Sequence, residues 1–136
     1  MLCTHSLSSF MIRIVHADDH PVVRQGLSSL LENSGDVEVI AQASNGAEAV
    51  ALVLEHEPDI ALMDLSMPEL DGLGACRKIR NALPRTRILI LTMHESEHHA
   101  KQAMRAGADG YLSKGSSITD LVAAFRRFTS RCTAFE

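Results

Sequence analysis

Five short apolar runs alternate along this chain with five stretches of helical periodicity, and few folds accept that alternation. The runs are Ile12 to His16, Val37 to Ala43, Ile60 to Met63, Ile88 to Leu91 and Gly110 to Leu112. Each has the length of a strand, and the fourth is apolar at every position, as strands buried on both faces are. Between them, Pro21 to Asn33 repeats Val22, Val23, Leu27, Leu30 and Leu31 at helical spacing. Asn45 with Glu48 reads as an N-cap and its N3 partner, opening a helix through Val50, Leu54 and His56 that Pro58 ends. Met67-Pro68-Glu69-Leu70-Asp71-Gly72 is a turn, after which Leu73, Cys76 and Ile79 space a third helix. A fourth runs from about Glu95 to Ala106 and stops at Gly107; a fifth runs from Ser116 to about Phe128 with Leu121, Val122 and Phe125. Repeated βα units build an α/β doubly wound parallel sheet of five strands with helices on both faces. The pattern alone leaves several strand orders open.

In such a sheet the carboxyl ends of the strands share one edge, and ligands bind there. Asp18 and Asp19 follow the first run, Asp64 the third, Thr92 the fourth and Lys114 the fifth. Like charges about 4 Å apart repel by ~4 kcal/mol even at an effective dielectric of 20, so three carboxylates opposed by one ammonium call for a cation. Oxygen donors without His or Cys suit Mg²⁺ or Mn²⁺, with Asp19 and Asp64 as direct ligands. A carboxylate so placed can attack a phosphoryl group and form an acyl phosphate. Asp64 is the expected nucleophile, Lys114 the balancing cation, and Thr92 a hydroxyl able to donate to the new phosphoryl oxygen. Asp71 reads as a turn former, and Gly72 and Gly107 as points of chain reversal and helix termination.

The 136 residues, 46% hydrophobic and 22% charged, describe one domain of ordinary size. A net charge of −4 argues against direct nucleic-acid binding by this segment, since only Arg126, Arg127 and Arg131 cluster. Cys3, Cys76 and Cys132 form neither a metal motif nor a disulfide framework, which fits a cytoplasmic location. No run approaches membrane-spanning length and no export signal opens the chain, so no membrane partner is expected. Residues 1–11 read as a loose leader, with Met11 an alternative start; residues 12–129 form the domain, and 130–136 a tail.

At its strand-end residues the chain resembles the receiver domains of bacterial two-component response regulators. The resemblance spans about Ile12 to Phe128 and rests on Asp18-Asp19, Asp64, Met67-Pro68-x-x-Asp71-Gly72, Leu91-Thr92, Ala106-Gly107-Ala108 and Tyr111-Leu112-x-Lys114. The stretch Asp18-Asp19-His20-Pro21-Val22-Val23-Arg24-Gln25-Gly26-Leu27 is similar to the NarL/FixJ subclass, whose members usually carry a LuxR-type helix-turn-helix after the receiver. The resemblance implies a flavodoxin-like strand order 2-1-3-4-5. It implies phosphorylation of Asp64 by a histidine kinase, with Mg²⁺ held by Asp19, Asp64 and the backbone carbonyl of Ser66, and by Asp18 through water. Thr92 and Tyr111 would then switch the face of helix four, strand five and helix five, acting through a homodimer or a DNA-binding output domain. The tail would begin the linker to that domain. Gly115 and Met93 depart from the family, which often has proline and a small residue at those places. Ser66 and His94 are expected to flank the acceptor and tune hydrolysis.

Each residue also has a plainer reading. Adjacent aspartates after a strand make solvated turns, Lys114 can be a surface lysine, Thr92 a strand-end hydroxyl and Tyr111 packing. His94-Glu95-Ser96-Glu97-His98 matches the H-E-x-x-H motif of zinc proteases, but its flanks are polar and no third ligand is evident. An aspartyl-nucleophile phosphatase of the haloacid-dehalogenase type would want an acid where Ser66 stands. A flavin or nucleotide module would want a Gly-rich phosphate loop where Asp18-Asp19 would repel the phosphate.

Overall fold

A computed structural model describes residues 11–65, 67, 70–93 and 97–129 of the chain. The elements in order are β1 (Ile12–Ala17), α1 (Pro21–Asn33), β2 (Val37–Ala43), α2 (Gly46–His56), β3 (Ile60–Asp64), α3 (Gly72–Ala82), β4 (Arg87–Thr92), α4 (Glu97–Arg105), β5 (Gly110–Ser113) and α5 (Ile118–Thr129). All four strand pairs are parallel, and the sheet order is β2-β1-β3-β4-β5. The expected α/β class and the 2-1-3-4-5 order both hold.

Alternation along each strand divides the side chains between two cores. Ile60 and Leu62 of β3 join Leu31 of α1 and Leu121, Val122 and Phe125 of α5 on one face. Ala61 and Met63 join Ala49 and Val53 of α2, Ala75, Cys76 and Ile79 of α3, and Ala103 of α4 on the other. Phe125 is fully buried, a burial that stabilises by about 2 to 3 kcal/mol. Cys76 is core filler, and burial pushes its thiol up to about 11. No helix among the described residues is long and apolar enough to cross a membrane.

Several boundaries differ from the sequence reading for local reasons. Asn45 caps α2 as expected, accepting from the Glu48 N–H at 2.7 Å while Glu48 Oε1 accepts from the Ser44 N–H at 2.7 Å. Glu57 then takes a left-handed conformation ahead of Pro58. α5 starts at Ile118 rather than Ser116, because the Ser117 hydroxyl accepts from the Asp120 N–H and caps the helix there. Within α1, Leu31 and Ser28 are buried, whereas Val22 is 84% exposed and Leu30 53% exposed. Five apolar residues spread over more of the helix circumference than the stripe that meets the sheet, so part of the apolar set faces outward. Gly107 ends α4 at φ 107°, as read. Gly72 serves a different need: a Cβ there would lie 2.5 Å from the Asp64 carbonyl oxygen, so close backbone approach rather than chain reversal requires glycine.

Candidate functional site

Neighbouring β1 and β3 send their chains onward to helices on opposite faces, which opens a crevice at their carboxyl ends. Asp18 and Asp19 follow β1, Asp64 closes β3, Thr92 closes β4 and Lys114 follows β5. Backbone bonds tie these ends together. The Asp18 N–H donates to Ala43 O at 3.0 Å, Leu65 N–H to Leu91 O at 3.0 Å, and Lys114 N–H to Thr92 O at 2.8 Å. Arg24 of α1 holds the β1–α1 turn by donating from Nη1 to Asp18 O at 2.8 Å.

Lys114 Nζ lies 2.7 Å from Asp18 Oδ2 and 3.2 Å from Asp64 Oδ2, so one ammonium bridges two strand-end carboxylates. The Lys114 side chain is 9% exposed, Asp64 8% and Asp18 fully buried. Burial alone would raise the Asp18 carboxyl, but hydrogen bonds from Lys114 and from the His20 N–H hold it below its ordinary value. Burial likewise opposes the charge on Lys114, and the Asp18 hydrogen bond and Asp64 charge outweigh it and raise the ammonium. Among the described residues, Lys114 is thus shared between two carboxylates with Asp19 standing beside them.

His20 was not singled out from the sequence. Its N–H donates to Asp18 Oδ1 at 2.9 Å, an Asx turn that folds the residue two places on back over the carboxylate. The ring follows: Nδ1 lies 3.1 Å from Asp18 Oδ1 and 3.0 Å from Asp19 Oδ1. Ligand atoms of Asp18, Asp19, His20 and Asp64 all fall within 4.8 Å of one another. Asp-x-His directly after a strand was the available signal. The donor set fits a divalent cation, and Asp19 Oδ1 is buried without a hydrogen bond, an oxygen such an ion would satisfy.

The remaining expected residues fall around this cluster. Thr92 is 3% exposed, and Tyr111, half-buried, pairs with Ile90 across β4 and β5 and packs on the α2–α3–α4 core. Met93 is 71% exposed. Ser66 and His94 lie outside the described residues, as do Glu95 and Ser96 of the H-E-x-x-H stretch; His98 is exposed on α4. Asp71 is the N-cap of α3, its Oδ1 accepting from the Gly74 N–H at 2.8 Å. A cavity of about 520 Å³ opens beside the cluster, lined by Asp19, Met67, Asp71, His99 and Gln102 among others. Below the site, His16 is buried and its Nδ1 meets Ser28 Oγ at 3.0 Å; burial pushes the imidazole down to about 4.

The response regulator receiver domain model matches residues 14–126. The oxygen regulatory protein NreC of Staphylococcus haemolyticus is 47% identical over 116 residues, covering 85% of this chain and 54% of that protein. The chain thus spans about half the length of the curated relatives it matches. A LuxR-family two-component response regulator from Aurantimonas sp. SI85-9A1 superposes with a TM-score of 0.83 at 41% identity, over 89% of this chain and 87% of that one. The receiver domain of a sensor histidine kinase from Pseudomonas aeruginosa PAO1, solved with a magnesium ion in its active site cleft, superposes with a TM-score of 0.78 at 28% identity, over 87% of this chain and 98% of that one. Its matched family model and its identity to these relatives make the chain a member of the response regulator receiver domain family.

Proposed function

We propose that the chain takes a phosphoryl group from a histidine kinase onto Asp64 and passes the change to an output domain. The observation that supports this reading is the Lys114 bridge between Asp18 and Asp64, which sets a fixed ammonium beside the Asp64 carboxylate at the end of β3. An Asp64 oxygen attacks phosphorus, the phosphorus–nitrogen bond of the donor phosphohistidine breaks, and the imidazole leaves with the electron pair and is protonated by solvent. Lys114 offsets charge on the phosphoryl oxygens, and the buried Thr92 hydroxyl donates to one of them. Mg²⁺, or Mn²⁺ in its place, held by Asp19 and Asp64 with Asp18 acting through water, would neutralise negative charge on the reacting group. The acyl phosphate is a new dianion, and it biases Thr92, Tyr111 and the α4–β5–α5 face toward a second arrangement. Residues 12–129 are the phosphoacceptor unit, regulatory rather than enzymatic. DNA contact, transcriptional output and any homodimer belong to the longer regulators its relatives represent, with the cytoplasm as its location.

The test is incubation with acetyl phosphate and MgCl₂ followed by intact-mass measurement. A gain of one phosphoryl group that disappears in Asp64→Ala and with EDTA is the expected outcome. A gain that survives in Asp64→Ala overturns the assignment, and steady release of phosphate from phosphate esters would favour the phosphatase reading instead.

A further inference from the structure

We propose that Arg24 is a positioning residue for the phosphoryl-accepting site, anchored on Gln42 of β2 so as to fix the peptide unit that joins Asp18 to Asp19. The inference rests on the function proposed above and extends it to a side chain of α1 that meets the site through backbone. Asp18 is fully buried, and a buried carbonyl oxygen needs a donor. Arg24 Nη1 supplies one at 2.8 Å, while Nε of the same guanidinium donates to Gln42 Oε1 at 3.1 Å. The planar fork thus has two anchors, one on the strand end that carries the acids and one on the neighbouring strand, and a fork held at two points cannot swivel about either. The Asp18 N–H donates to Ala43 O at 3.0 Å, so both sides of this residue's backbone are referred to the end of β2. Its carboxylate is held as well, Oδ1 by the His20 N–H at 2.9 Å and Oδ2 by Lys114 at 2.7 Å. Asp19 takes its direction from the peptide unit before it. That unit is planar, so holding the Asp18 carbonyl fixes the N–Cα bond from which Asp19 projects. Rotation of the unit would swing Asp19 away from Asp64, with which it shares the 4.8 Å cluster. The charge of Arg24 works the other way, because a further cation near the acids repels a divalent ion. Positioning and charge therefore predict opposite signs for its removal.

Calorimetric titration with MgCl₂, and the rate of mass gain from acetyl phosphate at saturating MgCl₂, test this in variants whose folding is checked by urea unfolding. Arg24→Met should weaken Mg²⁺ by about tenfold and slow phosphorylation by about tenfold, the loss typical when a group that orients a ligand is removed. Arg24→Lys keeps the charge but lacks the fork, and should recover part of both losses. Gln42→Leu removes the second anchor, leaves every charge in place, and should cost about threefold in each, the worth of one ordinary hydrogen bond. Mg²⁺ affinity that is unchanged or higher in Arg24→Met overturns the inference, since charge alone predicts that direction. Should Arg24→Met not fold, unchanged values in Arg24→Lys and Gln42→Leu overturn it equally. If the unmodified chain gains its phosphoryl group on Asp64 and the variants match it, only the inference falls. If it gains none, or gains one that survives in Asp64→Ala, the proposed function falls and the inference with it.

Discussion

The two edges of this sheet carry comparable numbers of charges and use them in opposite ways. At the amino edge Arg80 and Arg87 pair with Asp109, and Arg13 and Asp59 lie between β1, α2 and β3. Arg80 Nη2 pairs with Asp109 Oδ2 at 2.5 Å, while its Nε donates to the Gly107 carbonyl and its Nη1 to the carbonyls of Pro84 and Thr86. Arg13 donates to the carbonyls of Glu57 and His56 at the end of α2, and Asp59 Oδ2 accepts from the Arg13 N–H. Arg13 and Arg80 satisfy backbone carbonyls, and Asp59 and Asp109 accept from the N–H groups of Arg13 and Ile88, so the network ties elements together. At the carboxyl edge, among the described residues, Asp18, Asp19 and Asp64 gather around Lys114 alone, an arrangement that a bound cation would balance. Charge balance, rather than charge density, separates scaffold from site.

The contrast breaks most visibly at the two cations. Lys114→Met should destabilise the metal-free fold by about 3 kcal/mol, because Asp18 is left buried without its ammonium. Millimolar MgCl₂ should recover part of that loss in urea unfolding, since an ion that binds only the folded chain stabilises it. A loss that MgCl₂ leaves unchanged would mean the edge is scaffold after all.

His16 sharpens the comparison, being a polar group under the site that belongs to neither network. Its imidazole titrates at about 4 in the fold because of burial, against about 6.5 when unfolded. Between those values the unfolded chain binds more protons, so stability rises with pH across the window and falls as pH drops from 6.5 toward 4, by about 3 kcal/mol in all. His16→Leu should flatten this limb in denaturant titrations at pH 7 and pH 5 without divalent ions. An unchanged slope would show that His16 does not remain neutral in the fold.

Arg80→Met is the matched opposite of Lys114→Met. The pair it breaks is partly exposed, with Arg80 at 25% and Asp109 at 19%, so the expected cost is about 2 kcal/mol. MgCl₂ should raise the stability of this variant and of the unmodified chain equally, and phosphoryl acceptance at Asp64 should persist below the melting temperature. Loss of acceptance in a folded Arg80→Met would couple the two edges.

The element series was legible because strands covered on both faces are apolar without a break, as Ile88 to Leu91 shows, and because Asn45 and Gly107 have single physical uses. The strand ends announced Asp18, Asp19, Asp64 and Lys114 because a parallel sheet gathers such ends whatever their order. What could not be read was what depends on turn geometry. His20 reaches the carboxylates only through an Asx turn, and Val22 and Leu30 carry an apolar signal that packing leaves in solvent. Gly72 lies beside the Asp64 carbonyl through a tertiary approach that has no local signature.

Asp71 gives the finest division between the two uses of charge, since it lines the same cavity as Asp19 yet serves a helix. Its Oδ1 accepts from Gly74 N–H, so Asp71→Ala should cost about 1 kcal/mol, the ordinary worth of a cap. Asp71→Ser should recover most of that, because a hydroxyl can accept the same bond. Neither variant should change divalent-ion affinity by more than about twofold, since Asp71 stands outside the 4.8 Å donor cluster. A drop of tenfold or more in ion affinity with stability intact would move Asp71 from the scaffold to the site, and the line between cap and ligand would have to be redrawn one turn further from β3.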